Sequence, residues 1–166
     1  MRFSGQVWFD FSSPAVWTFY RWVRLLAVSG AEVALEWLPY PNDSEQAAMA
    51  TLLGIEDSQD RGRFIHAMLG LVHLENSSPS EMTTIIDALR AAELDSVIVA
   101  QDHPLLGDLS ARCKALAIEA VPSLVRHGPV LSIQLNPAVL NAEPQQVART
   151  INDVIESDGI WELRKP

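Results

Sequence analysis

Three short stretches of this chain hold residue types whose placement could do chemistry. At Asp10-Phe11-Ser12-Ser13-Pro14 an acid, two hydroxyls and a proline fall together where an apolar run gives way to helical periodicity. A serine ahead of a proline marks a helix start, because its hydroxyl can accept from free backbone N–H groups and proline is tolerated at the first helical position. Unpaired N–H groups and the helix dipole favour negative charge at the same place. Two roles stay open for it: Ser13 steadies a bound anion such as a thiolate, or Ser12 or Ser13 is an N-cap worth about 1 kcal/mol. Asp10 is either a buried acid for moving a proton or a strand-end residue capping a loop. The second stretch is Val121-Pro122; local sequence reads its bond as trans, since about 5% of X-Pro bonds in folded proteins are cis, and Pro122 as opening an edge strand. The third is Cys113, the one cysteine of 166 residues. Alone it can form neither an intramolecular disulfide nor a cysteine-built zinc cluster, and with Leu109, Leu116 and Ala117 nearby it reads as a small buried apolar residue.

Other chemistries lack their residues. His66, His73, His103 and His127 show no metal-ligand spacing, so no metal is expected. There is no glycine-rich phosphate loop and no Gly-x-Ser-x-Gly elbow to activate a hydrolytic serine. The aromatic run Trp8, Phe9, Phe11, Trp17, Phe19, Tyr20 and Trp22 is mostly core, with Trp17 and Tyr40 assigned to the mouth of a pocket. A formal charge of −9, from 12 Lys and Arg against 21 Asp and Glu, repels phosphate backbones and anionic membrane surfaces. Nucleic acid and membrane are therefore excluded as expected partners. No uninterrupted apolar run reaches the roughly 18 residues of a membrane span, and a lone cysteine suits a reducing compartment, so the chain is read as cytoplasmic and unprocessed.

The elements that must position these residues follow from periodicity. Gln6 to Phe11 is short and aromatic, a buried strand. From Pro14 to Ser29, Val16, Tyr20, Val23 and Ala27 repeat at helical spacing, and Gly30 stops the helix. Glu32 to Leu38 alternates as a half-exposed strand before Pro39. Strand, helix and strand imply a crossover with parallel strands. Helices are expected at Ser44 to Gly54, Ser58 to His73, Pro79 to Ala92 and Leu109 to Ile118, while Ser96 to Ala100 fits either a strand or a helix start. Ser123 to Arg126 and Val130 to Gln134 flank His127-Gly128-Pro129 as a hairpin, and Glu143 to Ile155 closes the chain as a helix. The order is β-α-β, a helical stretch over about 44–119, then β-β-α, in one domain spanning 1–166.

That order, with a strand running into FDFSSPAVW and a later EAVPSLV before a hairpin, resembles the DsbA-like branch of the thioredoxin superfamily, including FrnE-type oxidoreductases. Kappa-class glutathione transferases and 2-hydroxychromene-2-carboxylate isomerases are similar in more detail: they carry an aspartate strand followed by Ser-Pro, matched here by Asp10, Ser13 and Pro14. The resemblance implies an α/β thioredoxin-like fold with a helical insertion between its halves. It also implies a cis bond before Pro122, with the Val121 backbone facing the ligand, and a Ser13 hydroxyl that favours the ionised form of a cofactor thiol. Ser12, Pro14, Asp10 and Trp17 complete the implied site. The redox pair of the oxidoreductases is replaced by Ser13 and Val16, and the stretch Ser132-Ile133-Gln134-Leu135-Asn136-Pro137 lacks the Ser-Asp pair that usually holds glutathione. Three functions stay open: an enzyme using glutathione or mycothiol on a small hydrophobic electrophile, a redox-inactive binding or dimerisation module, and a disulfide oxidoreductase, the last disfavoured without the cysteine pair. A homodimer is left open.

Overall fold

A computed structural model describes residues 1–157; residues 158–166, included in the single-domain reading, lie outside the described residues. β1 (Arg2–Phe9) leads through a short loop into α1 (Pro14–Val28), which returns to β2 (Glu32–Pro39). The helical stretch comprises α2 (Gln46–Gly54), α3 (Ser58–Leu74), α4 (Met82–Ala91) and α5 (Leu105–Ala115). The hairpin β3 (Ser123–Val125) and β4 (Val130–Ser132) and the helix α6 (Pro144–Glu156) complete the second half. The α/β fold with a helical insertion is as expected.

The four strands are ordered β2-β1-β3-β4. β1 runs parallel to β2, from Arg2 beside Glu32 to Phe9 beside Pro39, and antiparallel to β3, with Trp8 beside Ser123. β1 starts earlier and stops earlier than the expected Gln6 to Phe11. Ser4 and Gly5 have little strand propensity, but pairing with Ala34 and Leu35 of β2 carries the strand through them. Gly5 is required there: at φ +147° its backbone suits few side chains, and an added Cβ would lie 2.9 Å from the Val125 carbonyl oxygen. Phe11 leaves the strand because Asp10 turns the chain towards α1.

α1 is buried more widely than one stripe. Val16, Tyr20 and Val23 are buried as expected, whereas Ala27 is exposed and Phe19, Trp22 and Leu26 are buried instead. The reason is that α1 is covered by the sheet, by α3 of the insertion, and by α6 with the turn Pro137–Asn141 before it. Phe3 meets Trp22 edge-on at 5.2 Å, and Tyr20 meets Trp37 at 5.8 Å. One apolar cluster joins Phe3, Val7 and Phe9 of β1, Phe19 and Leu26 of α1, Met49 and Leu52 of α2, Phe64 and Met68 of α3, Ile85 of α4 and Ile151 of α6.

Two further expectations are corrected. α5 begins four residues before the expected Leu109, directly after Pro104, and ends at Ala115 because Ala117 takes a positive φ of 55°. Ser96 to Ala100 is neither strand nor helix; this segment lies against α2, with the Ala100 N–H donating to Thr51 Oγ1 at 3.0 Å. Cys113 is buried on α5 as anticipated, its thiol pushed up by burial.

Candidate functional site

The loop Asp10–Ser13 sits where β1 ends and α1 begins, and its backbone groups have left the sheet without yet entering the helix. Buried N–H and C=O groups in such a gap need partners, and side chains supply them. Asp10 Oδ1 accepts from the Ser13 N–H at 2.9 Å. Glu45, only 1% exposed, accepts from the Phe11 N–H through Oε2 at 2.9 Å. His73 Nε2 donates to the Phe11 carbonyl at 2.8 Å, which fixes the Nε2–H form when the ring is neutral. Trp17 stacks on His73, ring centres 5.5 Å apart and 6° from parallel. The insertion thus grips the loop twice, from the turn after β2 and from the end of α3.

Ser13 is the N-cap of α1 by position, yet its hydroxyl makes no capping hydrogen bond. The expectation of a serine side-chain cap is corrected: the Ser13 carbonyl accepts from the Val16 and Trp17 N–H groups at 3.1 and 3.3 Å, and the adjacent polar anchor is Asp10. Ser13 is half-buried, Ser12 and Pro14 exposed. The first turn of α1 carries no acidic side chain, so the positive end of the dipole is not neutralised from within the helix.

Burial sets the local electrostatics. It raises the Asp10 carboxyl, against the pull of the Ser13 N–H, an Asn42 hydrogen bond and His73. It also raises Glu45, against the Phe11 N–H, with nearby Asp10 adding to the rise. His73 is lowered by burial, opposed by the Phe11 carbonyl and Asp10. Burial thus disfavours the charged form of all three groups around this loop.

Val121-Pro122 is a cis peptide, as the resemblance implied. Continuing the β1–β3 register one step past Trp8 and Ser123 brings Pro122 alongside Phe9, at the end of β1 from which the Asp10–Ser13 loop departs. The Val121 carbonyl is in contact with Gln134 Nε2 at 3.4 Å, so the backbone expected to face a ligand is partly occupied. Trp17 is half-buried against His73, and Tyr40 lines a different recess, with Asn42, Asp43 and Asp102. A larger cleft, about 640 Å³, opens farther along α1 between Tyr20, Trp37, Ile65 and His66; Ser13 and Val121 are not among its walls.

Sequence reasoning missed Glu45 and His73. Nothing local in the sequence singles out Glu45, and His73 reads there as a partly buried or surface histidine. Buried Phe11, stranded between strand and helix with two backbone groups to satisfy, is the signal that could have pointed to them. Among the described residues no group of histidines, cysteines and acids could hold a metal ion, and no helix is long and apolar enough to cross a membrane.

This architecture is a DsbA-like thioredoxin fold. The chain is similar to Proteus mirabilis ScsC in a transitional conformation, with 13% identity, 89% of this chain and 67% of that one covered, and a TM-score of 0.61. Pseudomonas aeruginosa DsbA gives 15% identity over 97% of this chain and 86% of that one, with a TM-score of 0.58. DsbL of Salmonella enterica serovar Typhimurium gives 14% identity over 92% and 87%, with a TM-score of 0.52. At such identities the likeness defines the fold. No family model and no curated protein sequence matches the chain.

Proposed function

We propose that this chain binds a low-molecular-weight thiol at the start of α1 and uses it in transfer, isomerisation or reduction of a small hydrophobic electrophile. One observation carries the reading: the Ser13 hydroxyl, half-buried at the positive end of a 15-residue helix, is not used as the helix cap. A thiolate there would accept a hydrogen bond from the Ser13 O–H and gain from the helix dipole. Ser13 would remain a donor while the sulfur does the chemistry. Asp10, holding the Ser13 N–H, acts as a positioning residue. Dithiol exchange within these 166 residues lacks its second sulfur, since Cys113 is the one cysteine. Glutathione or mycothiol, in a cytoplasmic setting, is the proposed cofactor.

Calorimetric titration with glutathione and with mycothiol, on wild type and Ser13→Ala, tests this. Loss of one hydrogen bond to a charged sulfur should weaken binding about tenfold or more. If neither thiol binds, or the variant binds as well as wild type, the reading fails. A second reading, a redox-inactive binding module, is favoured by the Gln134 contact on the Val121 carbonyl and by the position of the 640 Å³ cleft away from Ser13.

A further inference from the structure

The cleft midway along α1 has the composition of a ligand site in its own right. Tyr20 and Arg24 come from α1, Trp37 from β2, Gly62, Ile65 and His66 from α3, and one edge carries Arg63 with its acidic partner Glu93, just past α4. Its volume of about 640 Å³ suits a small organic molecule. Small residues make the room: a Cβ added at Gly62 would meet nothing within 4 Å.

The polar groups at its edge are arranged unequally. The Tyr20 hydroxyl lies 2.7 Å from His66 Nδ1; with the phenol donating, a neutral His66 carries its proton on Nε2 and has that N–H to give. Arg63 is already engaged by Asp60 and by Glu93, the latter at 3.8 Å. Arg24 forms no ion pair among the described residues, although it lies near enough to Tyr20 and His66 to influence both. The mouth therefore holds one guanidinium outside any ion pair among the described residues and one imidazole N–H above an apolar floor of Trp37, Ile65 and Ala92. Two donors, one of them cationic, match the two oxygens of a carboxylate.

We propose that this cleft binds a small apolar or aromatic monocarboxylate, its hydrocarbon part on Trp37 and Ile65 and its carboxylate between Arg24 and His66. The site is separate from the thiol reading. At 1.5 Å of rise per residue, Tyr20 lies roughly 10 Å along α1 from Ser13, beyond contact with a sulfur held there.

The probe is 2-naphthoate, compared with uncharged 2-naphthamide by isothermal calorimetry on the full chain. The acid should bind at one site per chain, and the amide about tenfold more weakly. Arg24→Gln should lower affinity for the acid by a similar factor, as expected for one charge-assisted hydrogen bond. Gly62→Leu should abolish binding while leaving the melting temperature at or above that of wild type, because the space is open and leucine is the better helix former. Ser13→Ala should bind the acid normally. Equal binding of acid and amide, undiminished binding by Gly62→Leu, loss of binding in Ser13→Ala, or no binding by wild type at millimolar acid would each overturn the proposal.

Discussion

Phe11 shows how a single residue organises this molecule. Its ring packs edge-on against Phe9 and Phe64, centres 5.2 and 6.2 Å away, while its backbone is held by Glu45 and His73. Placing an acid as buried as Glu45 has a cost that depends on pH. Its carboxyl is raised by burial above its ordinary value of 4.5, so the folded chain binds that proton more tightly than the unfolded chain. Its contribution to stability is then greatest below pH 4.5 and is lost as pH rises through the folded value. Asp10 acts in the same sense. His66 and His73, both lowered by burial, act oppositely, their contribution falling away as pH drops below their ordinary 6.5. The informative quantity is therefore the difference between Glu45→Gln and wild type, since glutamine keeps an oxygen for the Phe11 N–H. In urea unfolding from pH 4.5 to 7, the variant should gain on wild type as pH rises from 4.5 and level off beyond the folded value; a flat or falling difference would show that burial does not raise the Glu45 carboxyl. Ser13→Ala should shift stability by less than about 0.5 kcal/mol, because no capping bond is lost, and a loss near 1 kcal/mol would restore the serine cap.

Elements with a strong period could be read in the sequence, and those defined by contacts could not. α1 was bounded to within a residue by Ser13-Pro14 and Gly30, and β2 by its alternation and Pro39, because these signals are local. The first half of β1 is hidden by Ser4-Gly5, which alone suggest a turn and are carried into the strand by pairing with β2. Ser96 to Ala100 has strand-like side chains but no strand to pair with; a threonine hydroxyl on α2 takes its backbone instead. Asp10, Ser13 and Pro122 were legible through the motif, whereas Glu45 and His73, 34 and 62 positions from Phe11, belong to the site only through tertiary contacts. Gly5 gives the element-level test. Gly5→Ala places a Cβ 2.8 Å from Leu124 Cδ1 and 2.9 Å from the immobile Val125 carbonyl, at a φ that alanine rarely adopts. Stability should fall by about 2 kcal/mol, and a neutral result in chemical denaturation would mean that β1 and β3 can separate there without penalty.

The whole molecule is held by a core that does not respect the boundary between thioredoxin-like halves and helical insertion. Met49, Leu52, Phe64, Met68 and Ile85 of the insertion belong to the same apolar cluster as Phe3, Phe9, Phe19 and Leu26, and Glu45 and His73 tie the insertion to the start of α1. A folded half without the insertion would expose Phe11 and one side of α1, and an insertion without the sheet would lose the surface that buries Phe64. Neither part has a complete core of its own, so both should unfold in one step. Far-UV circular dichroism, dominated by the insertion's helices, and the fluorescence of tryptophans on β1, α1 and β2 should give coincident denaturant transitions. Phe64→Ala removes a fully buried ring at the junction and should destabilise both signals together by about 3–5 kcal/mol. Helix lost ahead of tryptophan burial, in wild type or variant, would instead mark the insertion as an independently melting cover, and the site at Ser13 would then depend on that cover being closed.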